Sequence, residues 1–282
     1  MTPFMADVLL YLSLMAYFGG TALWLGFFLA QREGLCRAGA WVMGLGLIPH
    51  TLALCLRAWN YGHFPAATLG DTLLVLDWAL VAAFLFLNWR FPIKVLGALA
   101  APLAALMICG ALILPPGRGP VSPLLNSLWL AVHIILALLG YAALTLAFLG
   151  GIFYLVQERQ LKGKKFGSFF YRRLPSLEQL DALNYWCLTI GFPLFTLGII
   201  AGSLYAQHAL GRFWSWDPKE VLTLIAWLIY AVLLHERLTV GWRGRRAALL
   251  AICGFLVLVI TFLGANLWFS SYHSFESFTR QP

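Results

Sequence analysis

Six histidines and one aromatic loop carry most of the reactive chemistry in this chain of 282 residues. The loop is Gly211-Arg212-Phe213-Trp214-Ser215-Trp216-Asp217-Pro218-Lys219-Glu220. It concentrates aromatics, cations and carboxylates in a sequence that is only 11% charged. Imidazoles ligate transition metals, and aromatic faces suit a flat ring. Together they point to a planar, metal-centred ligand, heme. The five cysteines do not change this reading. Cys36, Cys55, Cys109, Cys187 and Cys253 form no C-x-x-C pair and no C-x-x-C-H, so neither thiol redox chemistry nor covalent heme attachment to this chain is indicated.

These side chains must be positioned by membrane helices. The chain is 61% hydrophobic with mean hydropathy +0.83. A helix needs about 20 apolar residues to cross a bilayer. Eight stretches qualify, roughly 5–29, 38–57, 71–89, 93–114, 124–156, 184–206, 219–236 and 246–268. They are long and do not alternate, which selects helix over strand. The expected fold is an all-α polytopic membrane protein of about eight transmembrane helices. No cation precedes the first stretch, so it is expected to stay as a span rather than be removed as a signal peptide. Pro49 should kink the second span at the Leu45 carbonyl, beside His50. The longest polar connection, about 157–183, reads equally as an interfacial segment near anionic headgroups or as a solvated linker.

Charge sets the expected orientation. Fourteen of the nineteen Lys and Arg follow the odd-numbered spans; Arg57, Arg118, Arg212, Lys219 and Arg280 lie on the other side. The positive-inside rule places the first set in the cytoplasm. Both termini and the Trp214–Glu220 loop then lie outside. The formal charge of +8 is thereby explained by topology, and no nucleic-acid partner is expected.

On that topology His63 and His208 lie in outer loops, and His133 lies near the outer end of the fifth span. His273 lies just past the eighth. His50 sits in the outer half of the second span and His235 towards the cytoplasmic end of the seventh. An ionisable group inside a span is costly and marks a functional candidate. The ordinary alternative is a neutral ring bonded to a nearby carbonyl. His133 and His273 share one depth on the tryptophan side, and two opposed imidazoles can fill both axial positions of a heme iron. In the loop, Asp217, Pro218 and Glu220 fit the N-cap, N1 and N3 positions of a helix start. Trp214 and Trp216 flank Ser215 and could present rings along one face, or belong to an interfacial belt. Arg212 and Lys219 suit the heme propionates.

The stretch Trp214-Ser215-Trp216-Asp217-Pro218-Lys219-Glu220, with Leu224-Ile225-Ala226-Trp227 and Leu234-His235, resembles the "WWD" domain of the cytochrome c assembly family. That heme-handling family includes CcsA (ResC), CcmC, CcmF and HemX types, and the CcsA type is the best match. Val132-His133 with Gly140-Tyr141 resembles its first external histidine helix, and Asn266 to His273-Ser274 its second. Arg57 to Phe64-Pro65 and Asp71 to Trp78 resemble the CcsA N-terminal half. Two features depart from the family block: it usually opens Trp-Gly, here Leu210-Gly211, and Leu222 replaces a common aromatic.

The resemblance implies an N-terminal four-helix half over 1–122 and a WWD membrane domain over 123–282, with the external loop at 208–220. It implies heme b bound non-covalently, with His133 and His273 as the external axial pair. His235 would be the embedded ligand, and His50 is the only other intramembrane histidine available beside it. Trp214, Trp216, Asp217 and Arg212 would line the platform. The implied partners are a CcsB/ResB-type membrane subunit, an apocytochrome c, an external thiol reductant and the lipid bilayer, in the inner (cytoplasmic) membrane. The implied function is cytochrome c biogenesis, including cytochrome c synthase activity with the partner. A HemX-like regulator of heme synthesis and a heme-free transporter or scaffold are the alternatives.

Overall fold

The computed structural model describes residues 2–91, 93–114 and 127–264. The helices are α1 (Thr2–Ala30), α2 (Glu33–Tyr61), α3 (Leu69–Arg90), α4 (Gly97–Ile113), α5 (Leu128–Lys162), α6 (Leu177–Leu210), α7 (Pro218–Thr239) and α8 (Arg245–Val259). A 3₁₀ turn, Lys94–Leu96, leads into α4, and α8 ends in a π segment, Ile260–Gly264. Among the described residues there are no strands, and eight helices are long and apolar enough to cross a membrane. The expected helical membrane fold is therefore found.

Several helices outrun their apolar windows, because charged ends continue the helix where headgroups can solvate them. α2 starts at Glu33, whose carboxylate pairs with Lys94 at 2.6 Å. The expected polar connection at 157–183 shrinks to 163–176. α5 runs on to Lys162, and α6 begins at Leu177 behind a capping box in which Ser176 and Gln179 bond each other's backbone N–H. The remaining segment is not a loose linker. Phe169 packs on Phe28 of α1 at 5.7 Å, and Arg173 donates to the Leu29 carbonyl at 2.7 Å. α2 passes through Pro49 as continuous helix.

Packing follows two seams. On α1 the buried residues are Ala6, Leu10, Ser13, Tyr17, Gly20, Trp24 and Phe27; on α2 they are Cys36, Gly39, Met43, Gly46, His50 and Ala53. These repeat at three- and four-residue steps, the pattern of antiparallel helices meshed along their length. Large faces small across it. A Cβ on Gly39 would stand 2.9 Å from Trp24 Nε1, and one on Gly97 of α4 would enter the same indole. Absence of side chains at these points lets three backbones close around one tryptophan.

The second seam joins α5 to α6, the most extensive helix pair in the molecule. Asn184 donates to the Ala147 carbonyl at 3.2 Å within it. α8 packs across α5 and α7. The largest buried cluster draws on α1 to α6, so one core runs across both halves of the chain.

Ion pairs tie each end. On the side of the Trp214 loop, Arg57 of α2 bonds Asp71 of α3 at 2.6 Å and Asp7 of α1 at 3.0 Å. On the basic side, Arg237 of α7 makes a bidentate pair with Asp181 of α6, whose Oδ1 also accepts from the Gly244 N–H at 2.7 Å.

Candidate functional site

The aromatic loop is built by two helix ends. α6 stops at Gly211, which takes a left-handed φ of 72° that costs glycine little. α7 starts as expected: Asp217 is the N-cap, Pro218 is N1, and Asp217 and Glu220 form a capping box. Glu220 does more than that box requires. Its carboxylate accepts from Ser215 N–H at 2.7 Å, Ser215 Oγ at 2.9 Å and Asp217 N–H at 3.3 Å. One side chain thus folds the loop back over the first turn of α7. Trp216 holds a φ of 58°, a left-handed conformation costing a bulky residue about 1–3 kcal/mol. The residue is 74% exposed.

Trp214 and Trp216 meet edge to face, with centroids 6.1 Å apart and planes at 83°. They form a corner, not one flat face. Trp214 is half-buried, and its indole N–H is shielded with no acceptor among the described residues. Arg212 is exposed beside it, and Asp217 is buried in its cap.

His133 lies on the same side. It is five residues into α5, about 8 Å below that helix start, and packs on α6 two to three turns before the loop. Its Nδ1 lies 2.7 Å from the Gly198 carbonyl. A carbonyl oxygen only accepts, so Nδ1 carries the proton and, in the neutral ring, the lone pair resides on Nε2. A backbone acceptor on one nitrogen is the usual support for a histidine that ligates through the other. The ring fits because Gly202 has no side chain: a Cβ there would stand 2.7 Å from His133 Nδ1 and Cε1. Gly198 does the same for the backbone, where a Cβ would stand 2.8 Å from Ala137 N. Neither glycine was singled out as a site residue from sequence, although Gly198-Ile-Ile-Ala-Gly202 is a small-x-x-x-small motif that signals close helix approach.

The other histidines separate. His273 lies outside the described residues. His235 is exposed, and at 3.6 residues per turn it points about 170° away from the buried Ala226, Tyr230 and Leu233 stripe of α7. His50 is fully buried between α1, α2 and α3, with Nδ1 3.1 Å from the Tyr17 hydroxyl. It does not face His235, so the two do not share a ligand-sized space. His63 bonds the Phe64 carbonyl at 2.8 Å and stacks on Tyr61, while His208 is exposed in the last turn of α6.

The family model for "Cytochrome C assembly protein" matches residues 67–273, from the approach to α3 to beyond α8. The chain belongs to the cytochrome c assembly protein family. It is similar to the cytochrome c biogenesis protein CcsA of Synechococcus sp. (strain CC9605), 35% identical over 272 residues and 88% of each chain. The CcsA of Prochlorococcus marinus (strain NATL2A) is 38% identical over 258 residues, 81% of each. That of Chlamydomonas reinhardtii is 37% identical over 246 residues, covering 84% of this chain and 68% of the relative. Among solved structures, the cytochrome c heme lyase CcmF aligns with TM-score 0.63 and 17% identity. The alignment covers 94% of this chain but 51% of CcmF, so this chain spans about half of that structure and shares its fold. The chain is thus a multi-pass membrane protein of cytochrome c biogenesis, of the CcsA type.

Proposed function

We propose that the chain binds heme b non-covalently, relays it across the membrane and presents it outside for attachment to the C-x-x-C-H motif of an apocytochrome c. The carrying observation is His133, whose Nδ1 donates to the Gly198 carbonyl on the tryptophan side of the bundle, the support usual for an imidazole that ligates through its other nitrogen. A second observation supports the fit. Trp214 offers a shielded N–H with no acceptor among the described residues, suited to a propionate carboxylate.

In this reading His133 and His273 would hold the external heme iron, the latter assigned from sequence alone. Arg212 adds a guanidinium for the propionates, and Trp216 an exposed ring for the porphyrin face. Asp217 and Glu220 act through the loop by fixing its fold. Heme b supplies the redox-active iron and the vinyl groups that couple to thiols. The chain supplies orientation, which alone can provide about 7–11 kcal/mol of a barrier. His235 points off the bundle, so a heme that it held would lie at the surface of the chain, within reach of a CcsB/ResB-type membrane subunit. An external thiol reductant keeps the apocytochrome cysteines ready. The basic end faces the cytoplasm, both termini lie outside, and the membrane is the inner (cytoplasmic) one. With the partner bound, the assembly has cytochrome c synthase activity.

The test is direct. Purified from heme-replete cells, the chain should show a Soret band and, when reduced, low-spin α and β bands. His133→Ala should deplete or shift them, and imidazole should partly restore them. A colourless preparation defeats the proposal. Bound heme without matured reporter cytochrome, despite the partner, identifies a HemX-like regulator instead.

A further inference from the structure

Midway along the first three helices, three side chains able to carry or pass a proton meet away from solvent. Tyr17 comes from α1, His50 from α2 and Asp77 from α3, and all three are fully buried. The Tyr17 hydroxyl lies 3.1 Å from His50 Nδ1, and Asp77 Oδ2 lies 4.0 Å from the same nitrogen. Among the described residues neither Asp77 oxygen has a hydrogen-bond partner. Leu10, Ala53 and Leu74 seal the site towards the tryptophan side, and Trp24, Met43 and Phe84 seal it towards the basic side. The nearest charged groups on these helices are Arg57, Asp7 and Asp71, already paired with one another and about 10 Å along α2 from His50. α4, which packs on α1 and α3, brings no charged residue.

Charge conservation in a bilayer interior narrows the options. A lone carboxylate here has no hydrogen-bond donor among the described residues to stabilise it. A carboxylic acid beside a neutral imidazole carries no net charge, and nor does a carboxylate–imidazolium pair. Both hold one proton. Removing that proton, or adding a second, leaves a net charge among apolar side chains.

We propose that Tyr17, His50 and Asp77 form an intramembrane proton-binding site, holding one exchangeable proton that rests on Asp77 and can pass to His50. In that step the proton leaves Asp77 Oδ2, and the O–H bonding pair stays on the carboxylate. The lone pair at His50 Nδ1 takes it up. The Tyr17 hydroxyl changes from donor to acceptor, and Oδ2 closes on Nδ1 by about 1 Å to reach bonding distance. Tyr17 and His50 alone would suffice as a polar register mark in the α1–α2 seam. Asp77, from a third helix, is what makes the cluster a proton site. It uses none of the residues that the proposed function places around heme, since His50 does not face His235.

Infrared spectroscopy of the full chain in lipid nanodiscs at neutral pH tests this. The difference between the native chain and Asp77→Asn should contain the carbonyl stretch of a protonated carboxylic acid. That band should shift down in deuterium oxide and move in His50→Leu. Should Asp77→Asn fail to fold, carboxyl-labelling of the aspartates with ¹³C should shift the same band in the native chain. Absence of an aspartic acid band overturns the proposal. So does a band indifferent to deuterium, or one that ignores His50→Leu.

Discussion

Replacing Gly202 with alanine probes the proposed external ligand, His133, without touching a histidine. The new Cβ would stand 2.7 Å from His133 Nδ1 and Cε1, whereas ordinary contact begins at 3.4 Å. The ring must therefore withdraw from α6 by about 0.7 Å. The Gly198 carbonyl is on α6 too, so the 2.7 Å bond from Nδ1 stretches by a similar amount. That takes it past the ordinary N–H···O range of about 2.7–3.2 Å. Loss of the bond costs about 1 kcal/mol. Loss of orienting support at a metal ligand typically weakens binding about 10–100-fold. Two readouts separate position from stability. The first is the reduced heme spectrum with an imidazole titration. The second, in the heme-free chain, is the ¹⁵N shift of the His133 ring nitrogens, which reports where the proton sits. Gly191→Ala is the control, since its Cβ would stand 3.0 Å from Ala143 in the same seam, with no histidine there. Overpacking in either variant should cost about 1–3 kcal/mol. Only Gly202→Ala should weaken heme and disturb the ring. An unchanged ring in Gly202→Ala, or equal heme loss in Gly191→Ala, would refute the positioning role.

Glu220→Ala removes the acceptor of three loop hydrogen bonds. It should lower local stability by about 1–2 kcal/mol, read as faster amide exchange over 213–221 while the rest of α7 stays protected. Arg237→Lys keeps the charge but loses the bidentate fork on Asp181. It should cost about 1–3 kcal/mol in thermal melts and speed exchange at the α7–α8 connection. For topology, a reporter fused after Arg246 should read cytoplasmic and one at Pro282 external; the reverse would invert the assignment of faces.

Elements that depend on local sequence were legible, and those that depend on contacts between distant segments were not. Apolar length alone located every span, and Asp217-Pro218-Lys219-Glu220 gave the start of α7 because a cap is a four-residue event. The start of α6 was equally local: Ser176 and Gln179 have capping-box spacing, but the polar residues around them favoured a loop. Depth along a helix placed His133 on the tryptophan side, yet depth carries no azimuth. His50 and His235 both lie inside spans, and only the seams reveal that one faces the core and the other faces away. Gly202 matters because of what α5 puts opposite it, a relation between residues about 70 positions apart. No single-helix pattern encodes that.

The orientation of His235 bears on the partner more than any other feature. An imidazole facing lipid is expensive. Lysine and arginine escape by reaching for the interface on long stems, but histidine is short. His235 lies four residues, about 6 Å, from the end of α7. The stripe that shares its face is Leu224, Leu228 and Val232, all exposed. A helix of another chain laid along this stripe would cover the apolar residues and bring a side chain opposite the imidazole. A cysteine at Leu228 or Val232 should then cross-link to the co-expressed membrane subunit. A cysteine at Leu106, 67% exposed on α4, should not. The His235-side cross-link should persist in His133→Ala, which alters only the proposed external ligand. Equal cross-linking from Leu106 would mean random collision in the bilayer. No cross-link from α7, with a functional complex present, would place the partner elsewhere and leave His235 to be covered by lipid headgroups alone.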